Sequence, residues 1–114
     1  MSQSELSEAT LWWGINIRTG VVNFDNLSWL NSDYKLNKNS FLDFSEDLLQ
    51  IKFLEKNIVL DVGWYKYNGK GNGYFKVCLI KDQNWEKVLT YRHCRKACTL
   101  KKEIKELINR VDSY

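Results

Sequence analysis

The chain of 114 residues has no proline, one histidine and three cysteines. Without proline, chain reversals fall to glycine, asparagine and aspartate, which accept positive φ or close turns with their own side chains. His93 stands alone, so no arrangement needing two imidazoles is available. Cys78, Cys94 and Cys98 are odd in number and lack a framework spacing, which reads as reduced thiols. No apolar run approaches the roughly 18 residues of a membrane span. Residues 1–10 carry Glu5 and Glu8 but no basic residue, unlike a secretory signal, so a cytoplasmic location is expected. There is no repeat, low-complexity tract or linker. A single domain over residues 1–114 follows, with a polar, frayed start at 1–9.

What is present describes a globular domain. The chain is 44% hydrophobic and 27% charged, and at this length it should bury roughly 65% of its unfolded surface. Five Trp, six Tyr and five Phe serve either as core or as interface anchors, since Tyr and Trp join apolar area to a polar tip. The net charge of +3 is uneven, with seven basic against three acidic side chains in residues 92–114. That basic end suits an anionic partner or is simply a solvated helix face.

Hydrophobic spacing predicts the elements. Residues 11–17 alternate as a strand with Ile15 and Ile17 on one face, Thr19-Gly20 turns the chain, and residues 21–24 return. Residues 25–40 form a long irregular connection with a helical turn near Leu27 to Leu30. Leu49, Ile51 and Phe53 alternate with Gln50 and Lys52. This favours a strand over a helix starting at Ser45. Residues 58–67 and 74–81 make a hairpin across the glycine- and asparagine-rich segment 68–73. Pairing Tyr67 with Tyr74 places Leu60, Val62, Trp64, Phe75, Val77 and Leu79 on one core face. The other face carries Asp61, Gly63, Tyr65, Tyr67, Tyr74, Lys76, Cys78 and Ile80. Trp85 lies in the following loop, and residues 88–93 form a further strand. Thr99 is placed to cap a helix whose apolar stripe is Leu100, Ile104, Leu107, Ile108 and Val111. The expected fold is α+β: an antiparallel meander of five to six strands with a C-terminal amphipathic helix packed on one face.

Chemical motifs are weak. His93, Cys94 and Cys98 lack the paired spacing of structural zinc, so no metal is expected. His93 and Cys94, as neighbours on a strand, point to opposite faces and cannot activate one another. Asp43, Glu46 and Asp47 read as turn or helix-start acids. Gly69, Gly71 and Gly73 precede a strand, not the helix a phosphate loop needs. No catalytic set and no cofactor is expected, and the chain reads as a binding module. Residues 70–77 are similar to an RNA-recognition signature but carry Asn72 where that signature stacks an aromatic.

The run Val59-Leu60-Asp61-Val62-Gly63-Trp64-Tyr65, with residues 47–51, 74–82 and 84–86 around it, resembles small bacterial immunity proteins encoded beside contact-dependent or polymorphic toxins. The resemblance covers about the C-terminal two thirds of the chain. It implies a protein that binds a cognate toxin domain in the cytosol and neutralises it. Many such toxins are nucleases, whose inhibitors are often acidic, whereas this chain is slightly basic. Interface energy concentrates in aromatic and charged anchors, so the candidate partner-binding residues are Asp61, Tyr65, Tyr67, Tyr74, Lys76 and Trp85. Two readings stay open for them, a docking surface and burial beneath residues 25–47. For Asp61 a paired polar contact and a recognition role are equally open. The alternative function is single-stranded nucleic-acid binding through the tyrosine face and the basic C-terminal helix.

Overall fold

The computed structural model describes residues 11–31, 33–40, 44, 46–67 and 70–114, without the side chains of Leu11, Tyr67 and Lys70. The expected frayed start at 1–9, Asp43 of the acidic group, Ser45 and Gly69 lie outside the described residues. The elements in chain order are β1 (Leu11–Trp12), β2 (Ile15–Asn16), β3 (Val21–Asp25), β4 (Leu49–Phe53), β5 (Ile58–Tyr67), β6 (Lys70–Lys81), β7 (Val88–Cys94) and helix α1 (Ala97–Arg110), which tightens into a 3-10 turn at Val111–Ser113. Strands β3 to β7 hydrogen-bond in sequence order as one antiparallel sheet, while β1 and β2 form a separate ribbon. This is the α+β meander with a terminal helix that the hydrophobic pattern predicts.

Period-two patterning places the core. In β4 the side chains of Leu49, Ile51 and Phe53 are buried and those of Gln50 and Lys52 are half-buried on the other face. The expected six core residues of the β5–β6 hairpin are all buried, from Leu60 to Leu79. Their register differs from the expected one. Tyr65, not Tyr67, lies opposite Tyr74, and Tyr67 pairs with Lys70. The glycine-rich stretch is therefore not an open loop. Residues 70–73 belong to β6, and an irregularity opposite Tyr65 to Tyr67 absorbs the extra length. Gly71 and Gly73, at φ of 77° and 78°, supply the positive dihedrals this bulge requires. The slide is by two residues, so every side chain keeps its face.

The strand expected at 11–17 is corrected to a hairpin. Trp13 and Gly14 turn it with φ of 51° and 74°, the pairing of signs that a tight hairpin turn uses. A tryptophan at positive φ costs about 1 kcal/mol or more. It is held there because its indole N–H donates to the Leu30 carbonyl at 3.1 Å and Lys101 Nζ sits 5.1 Å from its ring centre. Ile15 and Ile17 are both buried, as their spacing predicts.

Leu27, Leu30, Tyr34, Leu36 and Phe44 close the core side. Near Leu27 to Leu30, where a helical turn is expected, a single hydrogen-bonded turn forms, with the Leu30 N–H donating to the Leu27 carbonyl at 2.9 Å. Asp25 organises it, accepting from the Leu27 and Ser28 N–H groups, the Ser28 hydroxyl and the Trp12 indole. Burial opposes its charge, but these bonds prevail and hold the carboxyl below its ordinary value. Leu27, Leu30, Leu36 and Phe44 are buried in the main core, where the Phe44 ring meets Tyr34, Trp64 and Phe75.

Helix α1 buries Ala97, Leu100, Ile104, Leu107 and Ile108, with Val111 beyond it, against the same face of β6 and β7. The expected Thr99 cap is corrected. The cap position is Lys96, with no side-chain cap bond. The backbone takes over that task, because Lys35 bridges Lys96 and the Ala97 N–H donates to the Tyr34 carbonyl at 2.9 Å. No helix among the described residues is long and apolar enough to cross a membrane.

Candidate functional site

With α1 and the side chains of Leu27, Leu30, Leu36 and Phe44 on one side of the sheet, no helix or strand among the described residues covers the other side. Its composition follows from the ladder. Asp61 pairs with Gln50 on one flank and Cys78 on the other, and Cys78 pairs with Tyr91. Lys76 lies opposite His93, and Tyr65 opposite Tyr74. Directly opposed side chains on one face are neighbours, so alternation on four strands assembles one surface.

The β5–β7 half is a ladder of rings around a cation. Tyr65 and Tyr74 have centroids 5.9 Å apart, Tyr74 and His93 4.7 Å, and His93 and Tyr91 5.3 Å. Lys76 Nζ lies 5.9 Å from the Tyr65 centroid and 5.8 Å from the Tyr91 centroid, within cation–π range. Burial and the neighbouring Lys76 charge keep the His93 imidazole below its ordinary pKa. Burial, reinforced by the charge of Asp61, pushes the Tyr65 hydroxyl up to about 12.

The β3–β5 half is acidic. Phe24, Asp47, Leu49, Gln50 and Asp61 line a pocket of about 260 Å³. Asp61 is only 6% exposed. Its carboxylate is hydrogen-bonded by Gln50, whose own oxygen accepts from Asn23 Nδ2 at 2.8 Å. Burial, with Asp47 adding repulsion, raises the Asp61 carboxyl to about 6 against the opposing effects of Gln50 and Lys76. Trp85 stands 58% exposed at the edge of this face, where it shares a smaller pocket of about 100 Å³ with Gln50, Lys52, Val59, Ile80 and Gln83.

The structure thus brings Asp61, Tyr65, Tyr74, Lys76 and Trp85 to one side of the sheet. Tyr67 pairs through its backbone at the hairpin tip, and its side chain lies outside the described residues. Asp61 is a sunken acid with an amide partner. The 25–47 segment reaches this face at Glu46 and Asp47, where the Glu46 carbonyl sits so close over Gly63 that a Cβ there would collide with it. The rest of its described apolar side chains turn to the core. Tyr91 (56% exposed), Phe24, Gln50 and His93 were missed. Extending the alternation of β6 across to residues 88–93 would have found Tyr91 and His93.

The two buried thiols, Cys78 and Cys94, are unsuited to nucleophilic work. Burial raises Cys94 to about 12, helped by Glu103, and Cys78 to about 11, helped by Asp61, so both are protonated at neutral pH. His93 is exposed and Cys94 buried, on opposite faces of β7. Among the described residues no three His, Cys, Asp or Glu side chains gather as metal ligands. No protein-family model matches the chain, and no curated protein or solved structure does so either.

Proposed function

We propose that this chain is a protein-binding module that docks its partner on the open face of the sheet, and that the partner is a toxin domain neutralised in the cytoplasm, as the resemblance to immunity proteins implies. The observation that carries the docking reading is the ring ladder around Lys76, exposed at Tyr91, on a face that no described element covers. Aromatic side chains on a rigid sheet offer large contact area with little entropy to lose, and they dominate interface energies. The toxin assignment rests on the sequence run from Val59 to Tyr65, much of which is core.

The alternative is a single-stranded nucleic-acid module stacking bases on Tyr65, Tyr74 and Tyr91. It was expected to combine the tyrosine face with the basic helix. Yet α1 packs on the opposite side of the sheet, so the exposed Lys102, Lys105 and Arg110 point away from the tyrosines. Asp47 and Asp61 would also repel phosphate.

Co-purification from cells that express the neighbouring open reading frame, with nucleic acid digested, tests the proposal. A one-to-one complex with that frame's toxin domain, lost in the Lys76→Glu Tyr91→Ala variant, is expected. Nucleic acid recovered before digestion, with no protein partner after it, would overturn the proposal.

A further inference from the structure

We infer that the open face is anchored on its protein partner by one lysine or arginine side chain of that partner, seated in the pocket between Phe24 and Asp61. The inference rests on the docking reading of this face and names the chemistry of its anchor.

The pocket of about 260 Å³ has the parts such a side chain needs. Asp61 is a carboxylate with 6% exposure that lines the pocket, and it makes no ion pair among the described residues. Gln50 satisfies part of its acceptor capacity and is itself fixed by Asn23. A carboxylate has about four lone-pair sites, so among the described residues capacity is left over for an incoming N–H donor. Asp47 adds a second carboxylate on the wall. Phe24, 45% exposed, offers a ring to a cation. The same exposed ring offers apolar surface to the methylene stem that lysine and arginine bury while their heads find charge.

Charge distribution over the face selects this occupant. The acidic pocket lies beside the Lys76 and His93 half, so a partner bearing a cation at one point and neutral or acidic groups beside it is complementary in a single orientation. A phosphate backbone would face two carboxylates. Burial and Asp47 disfavour the charged form of Asp61, while Gln50 and Lys76 favour it. Tyr65 and Cys78 also face it, each with its own pKa raised by burial and then by the Asp61 charge. A cation arriving in the pocket adds the missing favourable charge and lowers the Asp61 pKa.

The test is an NMR titration of the full chain with N-acetyl-arginine amide, with N-acetyl-citrulline amide as the isosteric neutral control. Saturable shifts at the Gln50 side-chain amide and the Asp61 backbone are expected, together with a fall in the Asp61 pKa. Citrulline should give none of these. Asp61→Asn, with Asp47→Asn as a second variant, should weaken the arginine response roughly tenfold, the scale of losing one charge-assisted contact. Shifts that fail to saturate, that citrulline reproduces, or that survive Asp61→Asn would overturn the inference. Binding of a single-stranded oligonucleotide at Tyr65 and Tyr91 without any arginine response would also overturn it, as would concentration-dependent self-association through Phe24. The anchor can fail without the docking reading. A toxin complex insensitive to Asp61→Asn removes the anchor and leaves the docking face standing.

Discussion

At the scale of single residues, two aspartates pull stability in opposite directions with pH. The folded Asp61 carboxyl titrates near 6, above the ordinary 3.8. The folded state therefore holds a proton between those values that the unfolded state has released, and stability is full below about pH 4 and declines as pH rises through about 6. Asp61→Asn should stabilise the protein by roughly 2 kcal/mol at pH 7 and by nothing near pH 4, measured by thermal melts at both values. A wild type that is the more stable at pH 7 would show that the carboxylate is already satisfied. Asp25 runs the other way. Its folded pKa lies below the ordinary value, so its stabilisation is present above that value and is lost as pH falls through the folded one. Asp25→Ala should cost about 1 kcal/mol at neutral pH, as loss of a capping side chain does, and the melts should converge with wild type in acid. Neither role was legible in sequence, because an acid beside tyrosines and an acid before an asparagine look alike until their donors are located.

At the scale of elements, faces were legible and boundaries were not. Alternation in 49–53, 58–67 and 74–81 and the stripe of α1 each fixed which side chains turn inward, since that depends on a period of 2 or 3.6 alone. Register depends on where extra residues are absorbed, and the bulge at Gly71 and Gly73 moved the pairing by two without disturbing any face. The Thr99 cap failed for a similar reason, because a backbone carbonyl distant in sequence does that work. Gly20, Gly63 and Gly73 are required by close approach, the last two most tightly. A Cβ on Gly73 would lie 2.5 Å from the Trp64 indole, and one on Gly63 would strike the Glu46 carbonyl. Gly63→Ala and Gly73→Ala should each lower stability by about 2 to 3 kcal/mol, the usual range for overpacking, seen as a lower urea midpoint at unchanged slope. An unaltered midpoint in Gly63→Ala would mean that the 46–47 segment yields freely.

At the scale of the whole molecule, the sheet divides two roles. One face carries α1 and the core. The other holds Phe24, Tyr65, Lys76, Tyr91 and His93, which come from four strands. Half of this site was legible, because the β5–β6 hairpin is contiguous and shows its second face directly. The flanking strands add the rest, and only strand order reveals them. An interface with an apolar core should hold its affinity as salt rises, whereas phosphate contacts would weaken steeply. The most direct test is the affinity of the co-purified protein partner for four versions of this protein: wild type, Lys76→Ala, Tyr91→Ala and, on the far side, Lys105→Ala. The docking account predicts a loss of roughly 1 to 2 kcal/mol in binding for each open-face variant, the range of interface anchors, with melting temperatures unchanged and Lys105→Ala indistinguishable from wild type. Full affinity in both open-face variants, or a loss confined to Lys105→Ala, would contradict it.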